Sequence, residues 1–208
     1  VELDSISSRI AKKLYPAADI RNIGFEDTHF SNGFFDVVIG NVPFGDYSID
    51  DERYKGIGKL LIHDYFLIKS LDLCRGGGII ALITTSGTMD KKNSSVRNQL
   101  AKRASFIGAI RLPETAFKSA AGTSVVSDIL FFKKKELPLE EENFIFKNVS
   151  MFAKDVLIND YFLENPEQIV GNLEVVSGPF GNRLTVRETS DYENKLIAAF
   201  SNIVSSIN

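Results

Sequence analysis

The pattern of apolar and polar residues along the first 135 positions predicts strands that alternate with helices. Residues 34–39 and 79–84 are nearly continuous apolar runs, as expected of strands buried on both faces. Further strand candidates are residues 1–4, 20–25, 106–112 and 128–133. Apolar residues at helical spacing predict helices over residues 5–15, 60–73 and 93–104, the first capped by Asp4 or Ser5.

This order of elements predicts an α/β domain with a mainly parallel sheet. The glycines at 76–78 end one helix and open the next strand. The last two strands are joined by residues 113–127 without a clear helix, which allows an antiparallel pair at one edge of the sheet. An acidic run, 140–142, follows Lys135, so we expect a domain over 1–135 and an extension or linker over 136–208, with a final amphipathic helix from about Asp191.

The composition excludes several classes of protein. The 208 residues include 24 Lys and Arg against 27 Asp and Glu, for a net charge of −3, and 44% are hydrophobic. These values exclude a disordered chain, and the single cysteine, Cys74, excludes a disulfide scaffold. We expect no metal site, because only His29 and His63 supply imidazole. Without an apolar run of about 20 residues, we expect a cytoplasmic protein.

Basic residues are present in local groups, which matters for any nucleic-acid partner. We interpret them as solvated helix faces or strand ends; they would bind phosphates only if the fold clusters them around one cleft. The groups are 12–13, 91–92, 97 with 102–103, and 133–135.

Candidate chemistry lies where the predicted strands end, because ligands of open α/β sheets bind beyond the carboxyl ends of strands. Glu2 ends the first predicted strand, and Glu26 and Asp27 end the second. Carboxylates in these places can accept hydrogen bonds from a ribose diol and from the amine of an adenine ring. The run 41–44, Asn-Val-Pro-Phe, ends the third predicted strand.

The run 41–44 suits the binding of a planar amine. The Asn41 amide oxygen and the Val42 carbonyl, held extended by Pro43, are two acceptors that can grip both protons of an –NH₂ group. Phe44 offers a flat apolar face for stacking a base or an amide. The same tetrapeptide is also compatible with an ordinary turn and a core phenylalanine.

Residues 35–44 resemble the Asn-Pro-Pro-Phe/Tyr motif region of S-adenosylmethionine-dependent amino-methyltransferases, and residues 1–4 resemble their ribose-binding motif. Residues 111–113, Phe117 and 127–132 resemble the late strands of type I-like N6-adenine DNA methylases, especially the methylase domains of helicase–methylase proteins of phages and mobile elements. The likeness covers most of residues 1–135 and continues weakly around 159–167.

The resemblance implies a Rossmann-like class I methyltransferase sheet, N-terminally truncated, that transfers methyl from S-adenosylmethionine to N6 of an adenine flipped out of DNA. By resemblance, Asn41 and Val42 bind the amine, Phe44 stacks on the base, and Glu2 holds the ribose. Either Glu26 or Asp27, with a slight preference for Glu26, lies near the cofactor adenine. Implied partners are DNA, a helicase domain of the same parent chain or a specificity subunit.

Two departures from the family pattern leave alternatives open. Val42 replaces the first proline, which keeps the carbonyl, and the glycine-rich cofactor loop would lie before Glu2. This piece alone is therefore expected to be inactive. A protein glutamine amide is an alternative acceptor, and a non-catalytic fragment that binds nucleic acid or a partner is another alternative. His63-Asp64 lies in a predicted helix and is interpreted as structural.

Overall fold

Four strands form the central sheet in the computed structural model, which describes residues 1–118, 124–136, 144–178 and 181–207. The strands are β1 (Phe35–Asn41), β2 (Cys74–Thr85), β3 (Ala104–Leu112) and β4 (Ser127–Lys134), in the order β1-β2-β4-β3. β1 is parallel to β2, whereas β4 is antiparallel to both β2 and β3. β1, β2 and β3 therefore share one direction, and the predicted mainly parallel sheet with an antiparallel edge pair is confirmed.

Helices precede and connect these strands, and those over 5–14, 62–73 and 95–103 lie where the sequence predicts helices, whereas the 3-10 helix and the short helix over 87–90 are not predicted. They are α1 (Ser5–Leu14), a 3-10 helix (Glu52–Ile57), α2 (Ile62–Leu73), α3 (Gly87–Asp90) and α4 (Ser95–Arg103). Asp4 caps α1, since its carboxylate accepts the Ser7 amide at 2.7 Å. α2 carries the crossover between the parallel strands, and its Ile68 packs with Ile80 and Phe132 in a core where all three side chains are fully buried.

The C-terminal part of the chain folds onto the sheet. It consists of α5 (Phe144–Lys147), β5 (Val149–Ala153), β6 (Val156–Asn159), α6 (Asp160–Glu164), a 3-10 helix (Pro166–Gln168), β7 (Asn172–Gly178), β8 (Gly181–Arg187) and α7 (Tyr192–Ile207). Two hairpins, β5–β6 and β7–β8, are its sheets. Phe146, Ile158 and Phe162 are buried in the same core as Phe132. The acidic run 140–142 lies outside the described residues, and the boundary after Lys135 stays a prediction.

Residues 1–4 and 20–25 are not strands, so that prediction is wrong. One backbone hydrogen bond joins the two segments, from the Glu2 amide to the Arg21 carbonyl at 2.9 Å. The Asn22 amide group adds bonds to the carbonyls of Glu2 and Leu3. An extended segment becomes a strand only through a ladder of backbone bonds, and within the described residues these two segments have no such ladder.

The expectation that β1 is buried on both faces is also wrong. Val37 is 55% exposed and Ile39 75% exposed, because β1 is an edge strand that pairs only with β2 in the described sheet. The apolar stripe of α1 (Ile6, Ile10 and Leu14) is likewise more than half exposed. The uncovered α1 stripe and the exposed Val37 and Ile39 side chains are thus apolar surfaces without a cover among the described residues, where β1 also has an unpaired backbone edge.

The glycines at 76–78 lie near the start of β2. α2 ends at Leu73, and the regular ladder with β1 starts at Ile79 after a register shift. Gly77 has φ +74°, and a Cβ at Gly78 would lie 2.6 Å from the carbonyl oxygen of Asp36. A side chain would therefore displace β1 at this point.

Candidate active site

The run 41–44 lies at the carboxyl end of β1, as predicted. Asn41 is the last residue of the strand, is exposed and lies opposite Ile83 of β2. The Val42 amide donates to the Ile83 carbonyl at 3.0 Å, and the Val42 side chain is buried. The chain therefore leaves the sheet from a fixed point, with the Asn41 amide group facing solvent at the edge where ligands of such sheets bind.

Phe44 packs partly against the main core, so its ring is half-buried rather than fully exposed. Pro43 is half-buried beside it. A half-buried ring on a fixed turn can present part of its surface to a planar group. The carboxyl end of β2 lies next to this turn: Thr84 is buried and shares a hydrogen bond of 2.9 Å with Thr88, whereas Thr85 is half-buried.

The predicted cofactor carboxylates belong to the two segments that pair outside the sheet. Glu2 is half-buried, and its Oε1 accepts the Asp4 amide at 2.8 Å. Glu26 is half-buried with its carboxylate folded over Gly24, where a Cβ would lie only 2.4 Å from Oε1. Asp27 is exposed. The fold thus joins the segment of Glu2 to Arg21 and Asn22, which precede Glu26 in the chain, but no backbone ladder of the described residues joins either segment to Asn41.

His63 and Asp64 are buried at the start of α2. His63 Nε2 lies 3.7 Å from Asp64 Oδ1, and Lys91 Nζ donates to Asp64 Oδ2 at 2.6 Å. Burial lowers the pKa of His63, and the Lys91 charge lowers it further, although Asp64 acts in the opposite direction. The buried Cys74 thiol has a raised pKa for the same first reason. Within the described residues, no group of His, Cys, Asp and Glu could hold a metal ion.

Half of the residues in the basic groups are engaged inside the fold, and the other half are exposed: Lys12, Lys13, Lys92, Lys102 and Lys133. Arg97 is fully buried and donates to the carbonyls of Thr88 and Lys147. Arg103 and Lys134 both pair with Asp72. These residues therefore do not line a phosphate-binding cleft.

Sequence reasoning missed a buried ionic cluster, Arg111 with Asp128 and Asp90. Arg111 makes two bonds of 2.8 Å to Asp128, its cross-strand partner, and its Nη1 lies 2.8 Å from Asp90. The Arg111 guanidinium also lies 4.1 Å from the centre of the Phe162 ring. One sequence signal was available: Arg111 and Asp128 are charged residues at strand positions that are otherwise apolar.

A protein-family comparison matches residues 3–117, over half of the chain, to the Eco57I restriction-modification methylase model. This chain belongs to that family. The match includes the predicted site residues Glu26, Asp27 and 41–44, and it ends after β3. No helix in the described part of this methylase-family chain is long and apolar enough to cross a membrane.

Individual proteins are also similar to this chain. Defense against restriction protein B of Escherichia phage P1 is 27% identical over 212 residues, which cover 95% of this chain but only 9% of the phage protein. Two solved structures share the fold: the type I restriction enzyme EcoKI M protein (TM-score 0.55, 15% identity, 99% of this chain and 57% of that one) and a type I restriction-modification methyltransferase subunit from Streptococcus thermophilus (TM-score 0.54, 17%, 97% and 41%).

The donor set fits one half of S-adenosylmethionine, the cofactor that this fold implies. Glu2, Glu26 and Asp27 offer carboxylate acceptors for ribose hydroxyls and an adenine amine. A loop of backbone amides for the methionine half is not found among the described residues: of the positive-φ glycines of this region, Gly33 precedes β1, Gly58 ends the 3-10 helix and Gly77 lies within β2, so none forms a direct turn from a strand into a helix.

Proposed function

We propose that this chain forms the amine-binding part of a DNA methyltransferase that acts on N6 of adenine. The observation that carries the proposal is the position of Asn41–Phe44 at the carboxyl end of β1, pinned to β2 through Val42. The family match and the shared fold support a methylase. Adenine is favoured because a neutral amide oxygen and a carbonyl suit the two protons of an exocyclic amine.

The chain's residues act by position. Asn41 and the Val42 carbonyl hold the two amine protons, so that the nitrogen lone pair points away from the ring plane, while Phe44 stacks on the flipped base. Glu2 holds the ribose, and Glu26 or Asp27 holds the adenine of the cofactor. When bound, the cofactor supplies an electrophilic methyl group, so no base is needed before transfer.

We further propose that elements outside the described residues complete the site. The uncovered α1 stripe and the open edge of β1 are surfaces for a strand and a helix that would bring the backbone amides of the methionine site. The 208 residues alone are then inactive. DNA, a specificity subunit and a helicase domain are the proposed partners of the intact protein, which would act in the cytoplasm.

Methyl transfer by the intact protein tests this function. DNA that contains adenine should accept label from S-adenosylmethionine, and Asn41→Ala should reduce the rate about 100-fold because an oriented hydrogen bond to the reacting amine is lost. Asn32→Ala is the control, because Asn32 is an exposed asparagine before the amino end of β1, whereas Asn41 lies at the carboxyl end.

Three results would refute or redirect the proposal. Label in a glutamine-containing protein but not in DNA would assign the other acceptor class. Equal rates for Asn41→Ala and the control would remove the turn from the mechanism. An absence of transfer to any acceptor, together with DNA binding, would favour a non-catalytic role.

A further inference from the structure

A cluster of Lys69, Asp51 and Arg53 contacts the loop that carries Glu26 and Asp27; Lys69 and Asp51 are buried, whereas the Arg53 side chain is 42% exposed. Lys69 lies on α2 with its ammonium group fully buried, and Asp51 and Arg53 lie at the start of the 3-10 helix. Lys69 and Asp51 bury one cation and one carboxylate, which is costly without polar partners, and Arg53 adds a second cation at the solvent-facing side of the cluster. The hydrogen-bond acceptors of the two cations indicate the role of the cluster.

Three carbonyl oxygens of the loop receive the hydrogen bonds of the two cations. Lys69 Nζ donates to the Phe25 carbonyl and contacts the Glu26 carbonyl at 3.4 Å. Arg53 donates to the Glu26 carbonyl at 3.0 Å and to the Thr28 carbonyl at 3.2 Å. The backbone on both sides of Asp27 is therefore bound to two different elements.

Asp51 holds the two cations in place. Its carboxylate accepts both Arg53 Nε at 3.0 Å and Arg53 Nη2 at 2.8 Å, and it lies 3.3 Å from Lys69 Nζ. Tyr65 completes the cluster by donating to Asp51 at 2.7 Å. Burial alone would raise the pKa of Asp51, but the bonds from Arg53 and Tyr65 outweigh it and keep the carboxylate charged.

The cluster replaces the support that a sheet would give. Residues 20–25 have no ladder, yet the loop after them must hold a carboxylate in a fixed place to recognise a ligand. Phe25 also packs its ring against Phe66 at 4.6 Å, and Lys69 Nζ lies 4.7 Å from the centre of the Phe25 ring. α2 thus anchors the loop through both polar and apolar contacts.

We propose that Lys69 and Arg53, oriented by Asp51, are positioning residues that fix Glu26 and Asp27 for recognition of the cofactor's adenine amine. The inference rests on the proposed function for the identity of the ligand. The fixing of the loop itself is independent of any ligand and can be measured separately.

The first measurement uses amide hydrogen exchange in this chain. The Asp27 and Thr28 amides donate to the carbonyls of Gly24 and Phe25 at 3.2 Å, so their exchange reports the loop. Lys69→Met should accelerate exchange at both amides at least about tenfold relative to amides of β2. Lys55→Met is the matched control. Lys55 is exposed on the 3-10 helix that carries Arg53, and it pairs with Asp50 and Glu52.

The second measurement uses cofactor selectivity in the intact protein. S-adenosylhomocysteine should bind more tightly than its inosine analogue, which lacks the exocyclic amine. Arg53→Lys keeps the charge but loses the fork that spans two carbonyls, and it should reduce that preference about tenfold or more, with Lys55→Met unchanged. A merely structural role would weaken both ligands equally and leave the preference intact.

The two measurements separate the possible failures. Unchanged exchange in Lys69→Met, or an unchanged preference in Arg53→Lys while the wild-type protein discriminates, would overturn the positioning role. Wild-type protein that binds neither ligand, combined with faster exchange in Lys69→Met, would leave the loop clamp in place and refute the proposed cofactor.

Discussion

Arg111 provides the strongest test of how the C-terminal part is joined to the sheet. Its side chain is fully buried, and it neutralises Asp128, which is also fully buried, and Asp90, which is 14% exposed. Its carbonyl accepts the Val170 amide at 2.9 Å, and its guanidinium stacks on Phe162. Replacing Arg111 by Met fills a similar volume but leaves two carboxylates without their cation.

The expected cost of Arg111→Met is about 3–5 kcal/mol in the free energy of unfolding, because breaking a buried pair strands the remaining charge. Burial raises the pKa of Asp128 even beside Arg111, and loss of the cation raises it further, so the variant gains stability relative to wild type as the pH falls toward that pKa. The difference between Arg111→Met and wild type should therefore be smaller at pH 5 than at pH 8.

Urea unfolding at both pH values measures these differences. Removing the stranded charge should restore stability, so Arg111→Met with Asp128→Asn should be more stable than Arg111→Met alone by at least about 1 kcal/mol. A cost below about 1 kcal/mol for Arg111→Met, additive with Asp128→Asn and independent of pH, would refute the reasoning that this pair is buried and coupled.

Three further predictions address the core, a glycine and a histidine. Phe132→Ala, in the fully buried centre of the sheet, should cost about 3–5 kcal/mol in urea unfolding; a cost near zero would contradict that burial. Gly78→Ala should cost about 1–3 kcal/mol by displacing β1, whereas Gly56→Ala, with open space around it, should not destabilise; equal effects would contradict the close approach. Burial lowers the pKa of His63 below 6.5 in the folded state, so protonation favours unfolding and this contribution to stability is lost as the pH falls below 6.5. His63→Gln should therefore lose less stability than wild type between pH 7.5 and pH 5, as measured by thermal unfolding, and equal losses would exclude this histidine.

Local sequence determined the elements of the central sheet and where chemistry can lie on it. The apolar runs of β2–β4 and the periodicity of α2 are strong signals because the same side chains both favour the element and fill the core, as Ile80 and Phe132 do. The turn at Asn41–Phe44 follows from its place after a strand, since a strand's carboxyl end is where an open sheet binds ligands.

Tertiary structure alone decided which predicted strands were realised and which charges were buried. Residues 20–25 have the composition of a strand, but a strand exists only with a partner. The described chain instead ties the end of this segment to α2 through Lys69 and to the 3-10 helix through Arg53. Those two cations, like Arg111 with Asp128, come from positions far apart along the chain. No local pattern encodes such contacts, because burial of a charge depends on partners that only the folded chain brings within hydrogen-bonding distance.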